Sequence, residues 1–104
     1  MVDFSLITGF DWDSGNSRKN ADKHGVTQEE AEQPFFNQPL IVVLDNAHSS
    51  SELRFHALGI TDYERRLHIT FTLREREKKI RIISARDMHR KERRIYEQAS
   101  KEAS

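Results

Sequence analysis

Apolar and polar positions alternate most cleanly in RLHITFTLR, residues 66–74, where Leu67, Ile69, Phe71 and Leu73 fall on one face and Arg66, His68, Thr70, Thr72 and Arg74 on the other. A period of two marks a strand with one buried face. LRFHALGIT, residues 53–61, alternates in the same sense and sets Leu53, Phe55 and Ala57 against Arg54 and His56. KIRIISAR, residues 79–86, follows the charged turn EREKK and reads as a third strand. Together the three predict an antiparallel meander with short hairpin connections. LIVVLD, residues 40–45, is a continuous branched run that predicts a fourth strand, tied to the next by the polar connector DNAHSSSE.

Upstream, FDWD, residues 10–13, reads as a short strand ending in an N-cap aspartate, and SGNSRKNADK, residues 14–23, as a polar surface helix closed by Gly25. TQEE, residues 27–30, has capping-box spacing: the Thr27 hydroxyl can accept from the Glu30 N–H while the Glu30 carboxylate reaches back. This predicts a helix from Gln28 to Phe36, ended by Asn37-Gln38-Pro39 and packing through Val26, Ala31, Phe35 and Phe36. A last helix, with Asp87 as N-cap and an end at Lys101, carries Met88, Ile95, Tyr96 and Ala99 along one stripe. The expected architecture is α+β, a single domain over residues 1–104. An antiparallel sheet of about four strands carries two N-terminal helices and one C-terminal helix on one face, and its polar strand residues line the other.

A chain of 104 residues suits one modest core, burying roughly 60–65% of the surface its unfolded form exposes. With no cysteine, disulfides, thiolate zinc sites and a cysteine nucleophile are excluded. MVDFSLITGF lacks the basic start of a signal peptide, and no apolar run approaches the ~20 residues that span a bilayer. A cytoplasmic protein without membrane association is expected. The net charge of zero conceals a split: residues 1–52 hold 3 Lys+Arg against 9 Asp+Glu, and residues 53–104 hold 14 against 8. Two readings fit, a polyanion-binding basic face or an acidic half folded onto a basic half.

Five histidines, His24, His48, His56, His68 and His89, fall in no HExxH or HxxxH spacing, and four glycines build no phosphate loop. Neither a metal nor a nucleotide cofactor is expected. Chemistry therefore falls to arginines on strands. A guanidinium is permanently charged and offers a planar fork to phosphate oxygens, so Arg54, Arg74 and Arg81 can suit a phosphate, although position alone favours solvated surface arginines.

Trp12-Asp13, Asn20, Lys23-His24-Gly25-Val26, Glu29-Glu30-Ala31, Asp45, His48-Ser49, Glu52, Arg54, Thr72, Arg74, Arg81-Ile82-Ile83-Ser84-Ala85-Arg86, Glu92-Arg93 and Tyr96 occur in one order and spacing. In this the chain resembles the BrnT family of bacterial toxins, over residues 10–96. The resemblance implies a RelE-like fold and an endoribonuclease that blocks translation by cutting RNA. It also implies a BrnA-like antitoxin carrying a ribbon-helix-helix region, with operator DNA reached only through that antitoxin. Departures lie in turns: residues 75–79 and Asp62-Tyr63-Glu64 lack a glycine that the family tends to have, and Gln38-Pro39 stands where Asp-Pro is common.

Metal-independent RNA cleavage needs a proton acceptor for the 2′-hydroxyl, cations for the phosphoryl oxygens and an acid for the leaving oxygen. Arg54, Arg74, Arg81 and Arg86 are the candidate cations. His48 and Glu52, matching the family's H-S-x-x-E-x-R pattern, are the candidates for proton transfer. His48 equally suits a role in ordering the connector. His56 and His68 are weaker catalytic candidates, Trp12 is expected in the core, and Arg90, Arg93 and Arg94 are assigned to solvent or a partner. An alternative is a non-catalytic RNA- or antitoxin-binding module on the same fold.

Overall fold

The structure of the chain is a computed structural model that describes residues 2–13, 15–16 and 23–103. Among these, five strands form one sheet in the order β1-β5-β4-β3-β2. The strands are β1 (Gly9–Phe10), β2 (Ile41–Leu44), β3 (Arg54–Ile60), β4 (Arg66–Arg74) and β5 (Lys79–Asp87), with helices α1 (Gln28–Glu32) and α2 (Arg90–Ala103). The α+β class and the β3-β4-β5 meander match expectation, and β2 extends the meander antiparallel to β3. Most of the helix expected over residues 14–23 lies outside the described residues, and Gly25 after it has φ +65°.

Four details differ from the pattern reading. The sheet is mixed rather than antiparallel, because β1 pairs parallel with the far edge of β5, Gly9 opposite Lys79. A two-residue strand carries no period, so its partner was not readable. The helix expected from Gln28 to Phe36 is α only to Glu32 and then tightens into a 3-10 turn over Gln33–Phe36. Pro34 has no N–H with which to continue the α ladder. The capping box of Thr27 and Glu30 forms as expected.

The last helix begins at Arg90, not after an Asp87 cap. Asp87 remains in β5 opposite Leu67, and both its oxygens accept from Arg65, at 2.7 and 3.1 Å. Arg65 also donates to Glu30 and the Gly25 carbonyl, tying the Lys23-His24-Gly25-Val26 segment to the sheet. Glu92 supplies the cap instead, accepting from the His89 N–H at 2.8 Å.

Most consequential is the placement of the helices, which are not on one face. Val26, Ala31, Phe55, Ala57, Leu67, Ile69, Phe71, Ile80, Ile82 and Ala85 form the main core, with Phe10, Trp12 and Phe35 packed against it. Gly59 belongs to this side, where a Cβ would meet the Pro34 Cβ at 2.6 Å. The polar face carries a second, smaller core of Leu58, Met88 and Tyr96 with Ile41 and Ile60, so α2 packs there. The Tyr96 hydroxyl donates to the Pro39 carbonyl at 2.7 Å, which satisfies its one polar atom. Leu58 and Ile60 sit on the same face as Arg54 and His56, and those two apolar positions decide where α2 lands.

Candidate functional site

Strand register arranges the polar face in rows. Arg54, Thr72 and Arg81 face one another across β3, β4 and β5, and the next row is Val43, His56, Thr70 and Ser84. A third row, Ile41, Leu58, His68 and Arg86, lies against α2. Helix α2 therefore covers one end of the face and leaves the Arg54 and His56 rows open, clear of the helix, with Thr70 and Thr72 buried between half-exposed neighbours and strands ~4.8 Å apart to set the spacing between side chains.

Beside the open rows the chain leaving β2 makes a 3-10 turn, Asn46–His48, capped by Asp45. Asp45 is buried, and its carboxylate takes two imidazoles: His48 through Nδ1 at 3.0 Å and His56 through Nε2 at 3.0 Å. Burial raises the Asp45 pKa, but the hydrogen bond and charge of His48 and the charge of His56 outweigh that and hold it below the ordinary carboxylate value. The carboxylate is thus ionised at neutral pH. His56 is held from its other side by Thr70, with Nδ1 3.1 Å from Oγ1. His48 has only its Nδ1 engaged and its side chain is 66% exposed. An Asp45 carboxylate accepting from Nδ1–H leaves Nε2 of His48 with its lone pair toward solvent, the tautomer a general base requires.

Arg54 is anchored at its backbone, where its carbonyl accepts from the Asp45 N–H at 2.8 Å and its N–H donates to Ser49 Oγ at 3.0 Å. Among the described residues its guanidinium has no carboxylate partner, and its buried Nε has no acceptor. A charged donor without an acceptor in a half-buried position is costly unless a ligand supplies one.

The other candidate arginines are neutralised. Arg81 shares the Arg54 row but pairs with Asp13 and, at 3.7 Å, with Asp11. Arg74, two positions beyond Thr72 on β4, pairs with Glu52. Arg86 holds Glu92 in a two-pronged pair at 2.8 and 3.0 Å beneath α2. That bond, with the His89 N–H, brings Glu92 down to about 2 against the opposing effect of burial. His68, next to this pair, is pushed down to about 4 by burial and by the Arg86 charge, so it is neutral above that pH.

Of the six residues singled out from sequence, the fold gathers His48, Arg54 and Arg81 around the open rows. It ties Glu52 to Arg74 and sets Arg86 at the covered end. Asp45, His56 and Thr70 were not among the six. Asp45 had a signal, three positions before His48, and His56 alternates with Arg54. Thr70 becomes visible only through register. The charge split resolves in part into pairs between the halves, Asp11 and Asp13 with Arg81, Glu30 with Arg65, and Glu52 with Arg74. No group of three His, Asp or Glu side chains among the described residues is arranged as a metal cage. No helix among them is long and apolar enough to cross a membrane.

The sheet thus bears an imidazole–carboxylate–imidazole cluster beside an arginine that has no carboxylate partner among the described residues. Residues 12–92 match the family described as ribonuclease toxin, BrnT, of type II toxin-antitoxin system. The chain belongs to this BrnT family, and with it to the ribonuclease toxins of type II toxin-antitoxin systems. No curated protein matches it closely enough to be counted as a relative.

Proposed function

We propose that the chain is a metal-independent endoribonuclease whose centre is His48, Asp45, His56 and Arg54, with Arg81 at its edge. The carrying observation is the Asp45 carboxylate bonded to both His48 and His56 beside Arg54, whose guanidinium has no acceptor among the described residues. A substrate phosphate meets Arg54, and His48 Nε2 takes the proton of the adjacent 2′-hydroxyl. The O2′–P bond forms as the P–O5′ bond breaks, leaving a 2′,3′-cyclic phosphate, and water protonates the departing 5′-oxygen. Asp45 stabilises the His48 imidazolium that results, and Arg54 offsets charge gathering on the phosphoryl oxygens. The RNA cut is cellular RNA in the cytoplasm, with translation as the process stopped. The partner is a BrnA-like ribbon-helix-helix antitoxin that reaches operator DNA on the complex's behalf.

The test is incubation of purified chain with RNA in excess chelator, comparing wild type with His48→Ala and Arg54→Ala. Wild type should cut and leave cyclic phosphate ends, and each variant should lose roughly a hundredfold in rate. Cleavage that disappears with chelator, or that persists unchanged in both variants, overturns the assignment. The carboxylates already on Arg74, Arg81 and Arg86 favour a second reading, in which the face holds RNA or antitoxin without cutting. That reading predicts salt-sensitive RNA binding with no cyclic phosphate product.

A further inference from the structure

Strand β2 is the outer edge of the sheet, paired on one side only, by β3. Its residues are Ile41-Val42-Val43-Leu44, with no charge or proline among them. Edges of this kind template pairing with another chain, and proteins that keep such edges free usually protect them with lysine, proline or a bulge. The edge also carries exposed apolar side chains. Of seven exposed large hydrophobic residues among those described, Leu6, Leu44 and Leu53 gather at one groove here and Val43 stands on the strand's other face, Val43 and Leu53 each being 53% exposed. At the Leu44 end an open groove of about 330 Å³ is lined by Leu6, Leu44, Leu53 and Leu73, with Asp3 and Glu77 as its carboxylates. A smaller hollow of about 130 Å³ continues it through Leu53 and Leu73 to Glu52. On the opposite face of the strand, Val43 lies directly beside His56.

We propose that the β2 edge and the groove beyond Leu44 receive an extended segment of the antitoxin, pairing as a sixth strand. Apolar side chains of that segment enter the groove, and a lysine or arginine meets Asp3 and Glu77. This rests on the toxin-antitoxin reading of the chain. The acidic rim selects a basic segment. A second copy paired edge to edge through four residues buries too little to reach the ~1,000 Å² a stable interface needs. An occupant that also fills the groove adds the missing area. The same occupant passes over Val43 and shields His56 and the Asp45–His48 turn, so docking and inhibition are one event.

The test measures affinity for the antitoxin encoded beside this toxin, by calorimetry, for the full-length wild type and for Val43→Lys and Leu53→Lys. Amide hydrogen exchange is followed in free and bound chains. Both side chains are exposed, and unchanged thermal midpoints will verify that the variants fold. The expected result is a loss of about tenfold or more in affinity for each variant, with new protection of the amides of residues 41–44 on binding. Variants that bind like wild type, or amides 41–44 that exchange as in the free chain, overturn this docking site and leave the partner reading standing. A wild type that does not bind the antitoxin removes the partner reading and this inference with it. A free chain that is dimeric, and that Val43→Lys makes monomeric, assigns the edge to a second copy and overturns the occupant proposed here.

Discussion

The two ends of the polar sheet face are built from the same residue types and behave differently. Under α2, Arg86, Glu92 and His68 form a packed group in which the arginine and the carboxylate saturate each other. At the open end, Arg54 has no carboxylate among the described residues, and Asp45 places its charge on two imidazoles instead. Among the described residues each end holds one buried nitrogen without a partner, His68 Nδ1 beneath the helix and Arg54 Nε in the open rows. The first belongs to an imidazole kept neutral, while the second belongs to a permanent cation. A neutral imidazole tolerates a missing partner far better than a guanidinium does, so only the open end has a strong demand for an anion. A strand arginine is therefore informative through its carboxylate, present or absent, more than through its position.

If the covered end is structural, disrupting it should cost stability rather than chemistry. Tyr96→Ala removes a buried aromatic and its hydrogen bond to Pro39, and is expected to destabilise the fold by about 3–5 kcal/mol in urea denaturation. Cleavage by the fraction still folded should be unaltered. Retained stability would mean that α2 is not held by Tyr96. At the open end the opposite is expected. Arg54→Ala should slow RNA cleavage by roughly a hundredfold, about 3 kcal/mol of barrier, while the denaturation midpoint stays within experimental scatter or rises. A large loss of stability there would place Arg54 among the structural arginines and erase the contrast.

Acid titration separates the members of the covered group. His68 titrates near 4 in the folded chain against an ordinary 6.5, so acid protonates the unfolded chain first. Its contribution is complete above pH 6.5 and is lost as pH falls toward 4, on the order of 3 kcal/mol at most. Glu92, at about 2 against an ordinary 4.5, is complete above pH 4.5 and lost as pH falls toward 2. Stability measured against pH should therefore fall in two adjoining windows, and His68→Asn should flatten the upper one alone. An unchanged profile in that variant would remove His68 as the cause.

The smallest effect concerns the turns. Glu64, Glu75, Arg76 and Glu77 all have positive φ, from 52° to 69°. Left-handed backbone strains non-glycine residues, so Glu64→Gly and Glu77→Gly should each raise stability by a few tenths up to about 1 kcal/mol. Lower thermal midpoints in both would show that these side chains hold the turns more firmly than glycine does.

Several of these features were legible beforehand because they are local. Alternation in residues 66–74 identified both faces of β4, the TQEE spacing marked the start of α1, and the turns lacking glycine coincide with the positive-φ residues. Pro34 was in plain view and still split a helix drawn through it. The candidate site was legible only in part. His48 and Arg54 stand out by type and spacing, but the carboxylates that neutralise the other arginines lie 68, 22 and 6 residues away, at Asp13, Glu52 and Glu92. No local pattern reports such pairs.

What the sequence alone determined is the family, the α+β class, and which strand residues share a face, because side-chain direction alternates with the backbone whatever the rest of the chain does. Only the tertiary structure decided that β1 closes the sheet in parallel and that α2 settles on the polar face over Leu58. It also decided that Asp45 reaches two histidines, leaving Arg54 without a counterion among the described residues. Those outcomes depend on register and packing between distant segments. Charges along a chain can be counted, but their pairing is set by which surfaces the core brings together.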